Sequence, residues 1–163
     1  MPRARRRDFA AGSTRSPIAD PPRGYRLVEQ SVHLRPIDEA ELRRVATTWE
    51  LKRRAGFRVP PTPPRAGQDV VITAGFAGVR FTEPAHVVWA DADGFGYETR
   101  PGHPLHGEES FLVRSHPDGG LVFTLRSLSR SGGGLWALAL PAVRVIQHRV
   151  VRRYLRVAID ASR

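Results

Sequence analysis

The feature that most constrains this chain is a long apolar stripe near its end. Leu135, Leu138, Ala139, Ala142, Val143, Ile146, Val150, Tyr154 and Val157 recur at helical spacing, while Arg144, His148, Arg149, Arg152, Arg153 and Arg156 fall largely off the stripe. A helix of that length cannot leave so much apolar surface in water, so the rest of the chain has to cover it. Pro141 lies inside the pattern, so the helix either starts there, with proline in its first turn, or kinks.

The covering surface reads as a sheet. Leu27, Val28, Val32 and Leu34 mark a first strand, and residues 70–76, 79–89, 94–99, 108–114 and 121–129 are short runs rich in β-branched and aromatic side chains. Turn signals such as Asp93-Gly94 and Pro117-Asp118-Gly119 separate them, which argues for antiparallel pairing. After the first strand, Asp38 makes an N-cap with Glu41 three positions on, and Leu42, Val45, Ala46 and Trp49 share one helical face. That helix is expected to stop at Gly56, and the prolines at 60, 61, 63 and 64 make the following segment an extended loop.

The expected fold is therefore α+β: a curved antiparallel sheet packed on a long C-terminal helix, with a shorter helix after the first strand. This is the element order of the helix-grip architecture (START/Bet v-like), in which the sheet wraps the last helix and leaves an apolar cavity between them; that step is analogy. The length suits one domain over residues 9–160, preceded by a basic flexible tail at 1–8.

Composition removes several classes of function. With no cysteine there is no disulfide, thiolate zinc site, iron–sulfur cluster or cysteine nucleophile. The arginine-rich start lacks the apolar run of a secretory signal, and no stretch approaches the roughly 18 apolar residues of a membrane span, so the expected location is the cytoplasm. The formal charge of +10 is confined to the ends: six arginines within residues 1–23, six within 144–163, and a middle that sums to +1. Lys52 is the single lysine against 25 arginines, a bias that fits genome composition better than phosphate recognition. Nucleic acid is therefore not the expected partner.

The segment Phe95-Gly96-Tyr97-Glu98-Thr99-Arg100-Pro101-Gly102-His103-Pro104, followed by Gly107-Glu108-Glu109, resembles the hallmark of the uncharacterised family known as domain of unknown function nineteen-ninety. The resemblance continues in Gly24-Tyr25, Trp49, Ala55-Gly56, Val87-Val88-Trp89, Arg126, Ser129-Arg130 and residues 152–156, and Phe9 to Thr14 looks like a variant of the family's opening. It implies a helix-grip fold of the kind that binds hydrophobic ligands, and it brings no activity with it.

Several side chains are candidates for a site. His103, His106, Glu108 and Glu109 are four ligand-type residues in seven positions, which reads as a polar loop between strands rather than a metal centre; His103 with Glu108 is the pair that acid–base work would use. On the strand at 121–129, Val122, Thr124, Arg126 and Leu128 share one face, so Arg126 either clamps a carboxylate or phosphate head group in the cavity or is a surface arginine or a structural partner of Glu108 or Glu109. Gly132-Gly133-Gly134 lacks the lysine of a phosphate loop and reads as a hinge before the last helix.

The expected function is the binding of a small amphipathic molecule without a cofactor or metal, by a monomer or homodimer. Tyr97, His103, Glu108, Arg126, Ser129, Trp49, Trp89 and Tyr154 form the expected ligand set, and Phe111 and Phe123 are further wall candidates. An enzyme using His103 and Glu108, and a nucleic-acid or anionic-membrane accessory protein using the tail and last helix, are the alternatives.

Overall fold

The computed structural model of the protein describes residues 9–76 and 78–163; the expected tail at 1–8 lies outside them. Strand β1 (Arg26–Leu34) leads into helix α1 (Glu39–Ala46), where the Asp38 carboxylate accepts the Glu41 N–H at 3.1 Å, as its spacing requires. The helix does not run on to Gly56. The Thr47 and Thr48 hydroxyls turn back to the carbonyls of Arg43 and Arg44, and Thr48 Oγ1 then accepts the Glu50 N–H, so that a second helix, α2 (Glu50–Arg54), starts afresh.

Strands β2 (Asp69–Phe76), β3 (Val79–Asp91), β4 (Gly94–Thr99), β5 (Leu105–Ser115) and β6 (Leu121–Ser131) follow, then a short helix α3 (Leu135–Leu138) and the long α4 (Leu140–Asp160). Pro141 occupies the first turn of α4, where its missing N–H costs nothing, and the chain bends ahead of it rather than within it. Among the described residues the strands form one antiparallel sheet in the order β1-β6-β5-β4-β3-β2. The first strand thus lies beside the last, and α1 and α2 carry the chain from one edge to the other.

The inner face of the curved sheet wraps α4 and the α1–α2 pair. Phe95, Phe111, Phe123 and Leu125 from the strands meet Leu42, Val45, Trp49 and Leu51, together with Val151, Tyr154 and Ala158 of α4, in one buried cluster. Each large apolar side chain buried this way stabilises the fold by about 1.5–3 kcal/mol.

The outer face is covered as well. Residues 9–16, with a 3-10 turn at Ser13–Arg15, lie across β4, β5 and β6 as a strap. Glu108, 2% exposed, accepts the Gly12 and Thr14 N–H groups and the Thr14 hydroxyl. The Ser110 hydroxyl donates to the Thr14 carbonyl at 2.9 Å. A buried carboxylate with three donors is fully compensated, which explains its presence under an ordered segment.

A break in pairing register between Val87 and Trp89 decides what else lies under the strap. Val87 opposes Tyr97 on the inner face, whereas Trp89 opposes Gly96 and turns outward. Gly96 lets the indole lie flat on the sheet: a Cβ there would sit 2.3 Å from Trp89 Nε1. The Arg15 guanidinium then covers the same ring at 5.3 Å.

Candidate functional site

A cavity of about 160 Å³ opens between the inner face of the sheet and α4. Phe57, Phe81, Trp136, Ile146 and Val150 supply apolar wall, and Lys52, Glu83, His103 and Glu109 are among the charged and polar side chains of the lining. The strands place them by alternation. Glu109 and Tyr97 oppose each other on β5 and β4, one residue out of phase with the outward Glu98–Glu108 pair.

Lys52 is the centre of this arrangement. It comes from α2 with 1% exposure, and its ammonium donates to Tyr154 Oη at 2.6 Å and to Glu109 Oε2 at 3.3 Å. The Tyr97 hydroxyl donates to the same Glu109 oxygen. Rings of Phe57, Tyr97, Phe111 and Tyr154 surround Lys52 Nζ at 4.7–5.6 Å, so the buried charge has both a counter-ion and an aromatic cage. Burial, followed by the neighbouring charge of Glu109, pushes the Tyr97 hydroxyl well above its ordinary range, and burial with Glu109 and Glu83 does the same to Tyr154. Both hydroxyls therefore stay protonated in the folded protein across the neutral range.

The second polar pair is Glu83 with His103, 3.7 Å apart. His103 Nδ1 accepts the Leu105 N–H at 3.0 Å, which leaves Nε2 to carry the imidazole proton toward Glu83. Burial raises the Glu83 carboxyl, but the His103 imidazole directed at it, with the Lys52 charge adding, outweighs burial and holds the group below its usual value. On the opposite wall, Arg144 donates to Ser129 Oγ at 3.0 Å and Gln147 donates to Ser127 Oγ at 3.1 Å, tying the first turns of α4 to β6.

Of the expected ligand set, Tyr97, His103, Ser129 and Tyr154 line the cavity. Trp49 is core, edge-on to Phe95 at 4.8 Å, and Phe111 and Phe123 are core too. Three expectations are corrected. Trp89 faces the strap, because the register break reverses the alternation that would have aimed it inward. Arg126 lies on the outer face of β6, paired with Glu29 and donating to the Thr14 and Arg15 carbonyls, since Leu121, Phe123 and Leu125 take the inner face. Glu108 is part of the cavity lining, but its carboxylate is held by the strap, and His103 pairs with Glu83 and not with Glu108.

Sequence reasoning missed Lys52, Glu83 and Glu109 as a set, and Trp136 in the cavity wall. One signal was present: a lone lysine in an arginine-rich chain is a position where the guanidinium has not replaced the ammonium. Among the described residues no three His, Asp or Glu side chains are grouped to hold a metal ion.

Comparison with known proteins agrees with the fold. A START superfamily protein from Mycobacterium smegmatis superposes with a TM-score of 0.57 at 10% identity, covering 83% of this chain and 96% of that one. Ginseng major latex-like protein 151 from Panax ginseng gives 0.58 at 9% identity over 85% and 98% of the two chains, and a hypothetical protein from Helicobacter pylori gives 0.62 at 9% over 85% and 88%. The architecture is therefore the START/Bet v-like helix grip. A "UPF0548 protein" of Deinococcus radiodurans is 39% identical over 72 residues, 44% of this chain and 36% of that relative's length. The model of the family described as "Domain of unknown function (DUF1990)" matches residues 10–157, and the chain belongs to that family.

Proposed function

We propose that the protein binds a small amphipathic molecule in the cavity between the sheet and α4. The observation that carries this reading is the lining itself: aromatic and aliphatic wall, with a buried Lys52–Glu109–Tyr97–Tyr154 network and a Glu83–His103 pair to orient a polar head. The fold supports it, since proteins of START and major latex-like description share the architecture. A ligand oxygen would be met by the hydroxyls and ammonium of the network, and its apolar part by Phe57, Phe81, Ile146 and Val150.

A second reading, acid–base catalysis, draws on the Glu83–His103 pair. In it Glu83 is the base, because both imidazole nitrogens of His103 are already engaged.

Native mass spectrometry of freshly purified protein, compared with its denatured mass, tests binding directly. A discrete extra mass lost on denaturation is expected. The second arm uses anilinonaphthalene sulfonate as probe with an Ile146→Trp variant, which fills the cavity from α4. Loss of probe binding with the fold retained supports the cavity site, and unchanged binding overturns it.

A further inference from the structure

Beyond the cavity, the outer side of α3 and α4 is left uncovered. Leu135 and Leu138 are 83% and 82% exposed, and Val145, further along, is 55% exposed. Two leucines one helical turn apart and this far exposed are unusual for a surface that meets only solvent. On α4 the basic side chains share one face with Val145: at 100° per residue, Val145, Arg149, Arg152 and Arg156 fall within about 60° of one another around the helix. Between residues 119 and 159 the sequence has no Asp or Glu. Among the described residues no carboxylate pairs with Arg152, Arg153 or Arg156.

We infer that this surface docks on an anionic lipid bilayer, with Leu135, Leu138 and Val145 entering the interface and Arg152 and Arg156 meeting lipid phosphates. Three features favour a bilayer over other acidic partners. A nucleic acid would use the arginines and leave the leucines in water, whereas a lipid interface takes both. The apolar groups cluster at one end of the exposed stripe and the charges at the other, as a helix inserted by its leading end requires. No helix among the described residues is long and apolar enough to cross a membrane, so the contact is peripheral.

The placement has a consequence for the cavity. Trp136, between the two exposed leucines, packs edge-on against Phe81 at 6.5 Å and lines the cavity, as do Val143 and Arg153 of α4. Gly133 and Gly134, at φ 86° and 58°, form the joint on which α3 hangs. A bilayer that draws Leu135 and Leu138 into its interface therefore pulls on an element that supplies cavity wall.

Co-sedimentation of the full chain with vesicles tests this. Vesicles of phosphatidylcholine mixed with an equal part of phosphatidylglycerol should bring the protein down, and vesicles of phosphatidylcholine alone should not. A Leu135→Ser/Leu138→Ser variant should partition about tenfold less into the anionic vesicles, since two exposed leucines are withdrawn from the interface. Its melting curve should be unchanged, because neither side chain is in the core. An Arg152→Gln/Arg156→Gln variant should bind less steeply with falling salt, and it serves if the leucine variant fails to fold. Failure of wild type to sediment overturns the inference. So does equal sedimentation of wild type and leucine variant, or binding of double-stranded DNA that matches vesicle binding and ignores the leucine substitutions.

Discussion

Lys52 and Tyr154, 102 residues apart in sequence, meet at 2.6 Å, and through them α2 and α4 are joined at the floor of the cavity. The ammonium is 1% exposed and Glu109 is its counter-ion, so removing one partner strands the other. Lys52→Met should destabilise the protein by about 3–5 kcal/mol, the usual range for an uncompensated buried charge. Adding Glu109→Gln should recover a large part of that loss, and Tyr154→Phe alone should cost about 1–2 kcal/mol. Urea unfolding of the single and double variants gives all three values; additive effects would show that the two groups are not coupled.

The strap makes a separate prediction. Thr14 contributes two donors to Glu108, and its carbonyl takes donors from Ser110 and Arg126. Thr14→Val keeps the shape but removes the hydroxyl, leaving the buried carboxylate short of a partner at about 1–3 kcal/mol. Amide exchange at Gly12 and Thr14 should quicken by more than exchange in α4. Arg126→Ala should likewise loosen the strap and leave probe binding in the cavity unaltered.

Gly96 and Trp89 define a packing constraint on the same face. A methyl group at Gly96 meets the indole at 2.3 Å, and the sheet backbone cannot retreat. Gly96→Ala should cost about 1–3 kcal/mol as an overpacked site. Trp89→Leu in that background should restore part of the stability, measured by thermal melts of the four proteins in the cycle.

Acid and alkali should destabilise through different groups. Glu83 is held below its usual 4.5 in the folded state, so its contribution is present above that value and disappears as pH falls through the lowered folded value. Glu83→Gln should flatten the acid limb of the stability curve, as pH falls below the ordinary carboxylate value of 4.5. Tyr97 and Tyr154 are raised above 10.0, so their contribution is full below that value. It is lost as pH climbs past about 10, where the unfolded chain ionises and the folded one resists. A Tyr97→Phe/Tyr154→Phe variant with an unaltered alkaline limb would refute the assignment.

Local patterning was enough to locate the elements. Alternation with turn residues located β2 to β6, the Asp38–Glu41 spacing located the start of α1, and the apolar stripe located α4, because each is a local property of neighbouring residues. The family's hallmark segment also pointed to the region of Tyr97 and His103. What local pattern could not decide was which face each strand turns inward. Both sides of β6 are buried, one by α4 and one by the strap, so Arg126 carried no alternation signal, and a single register break sent Trp89 outward. The partners Lys52–Glu109, Glu83–His103 and Glu108–Thr14 come from segments remote in sequence or opposed across the sheet. Such pairs exist only once the sheet has closed around α4, since it is the tertiary burial of their charges that makes each one need the other.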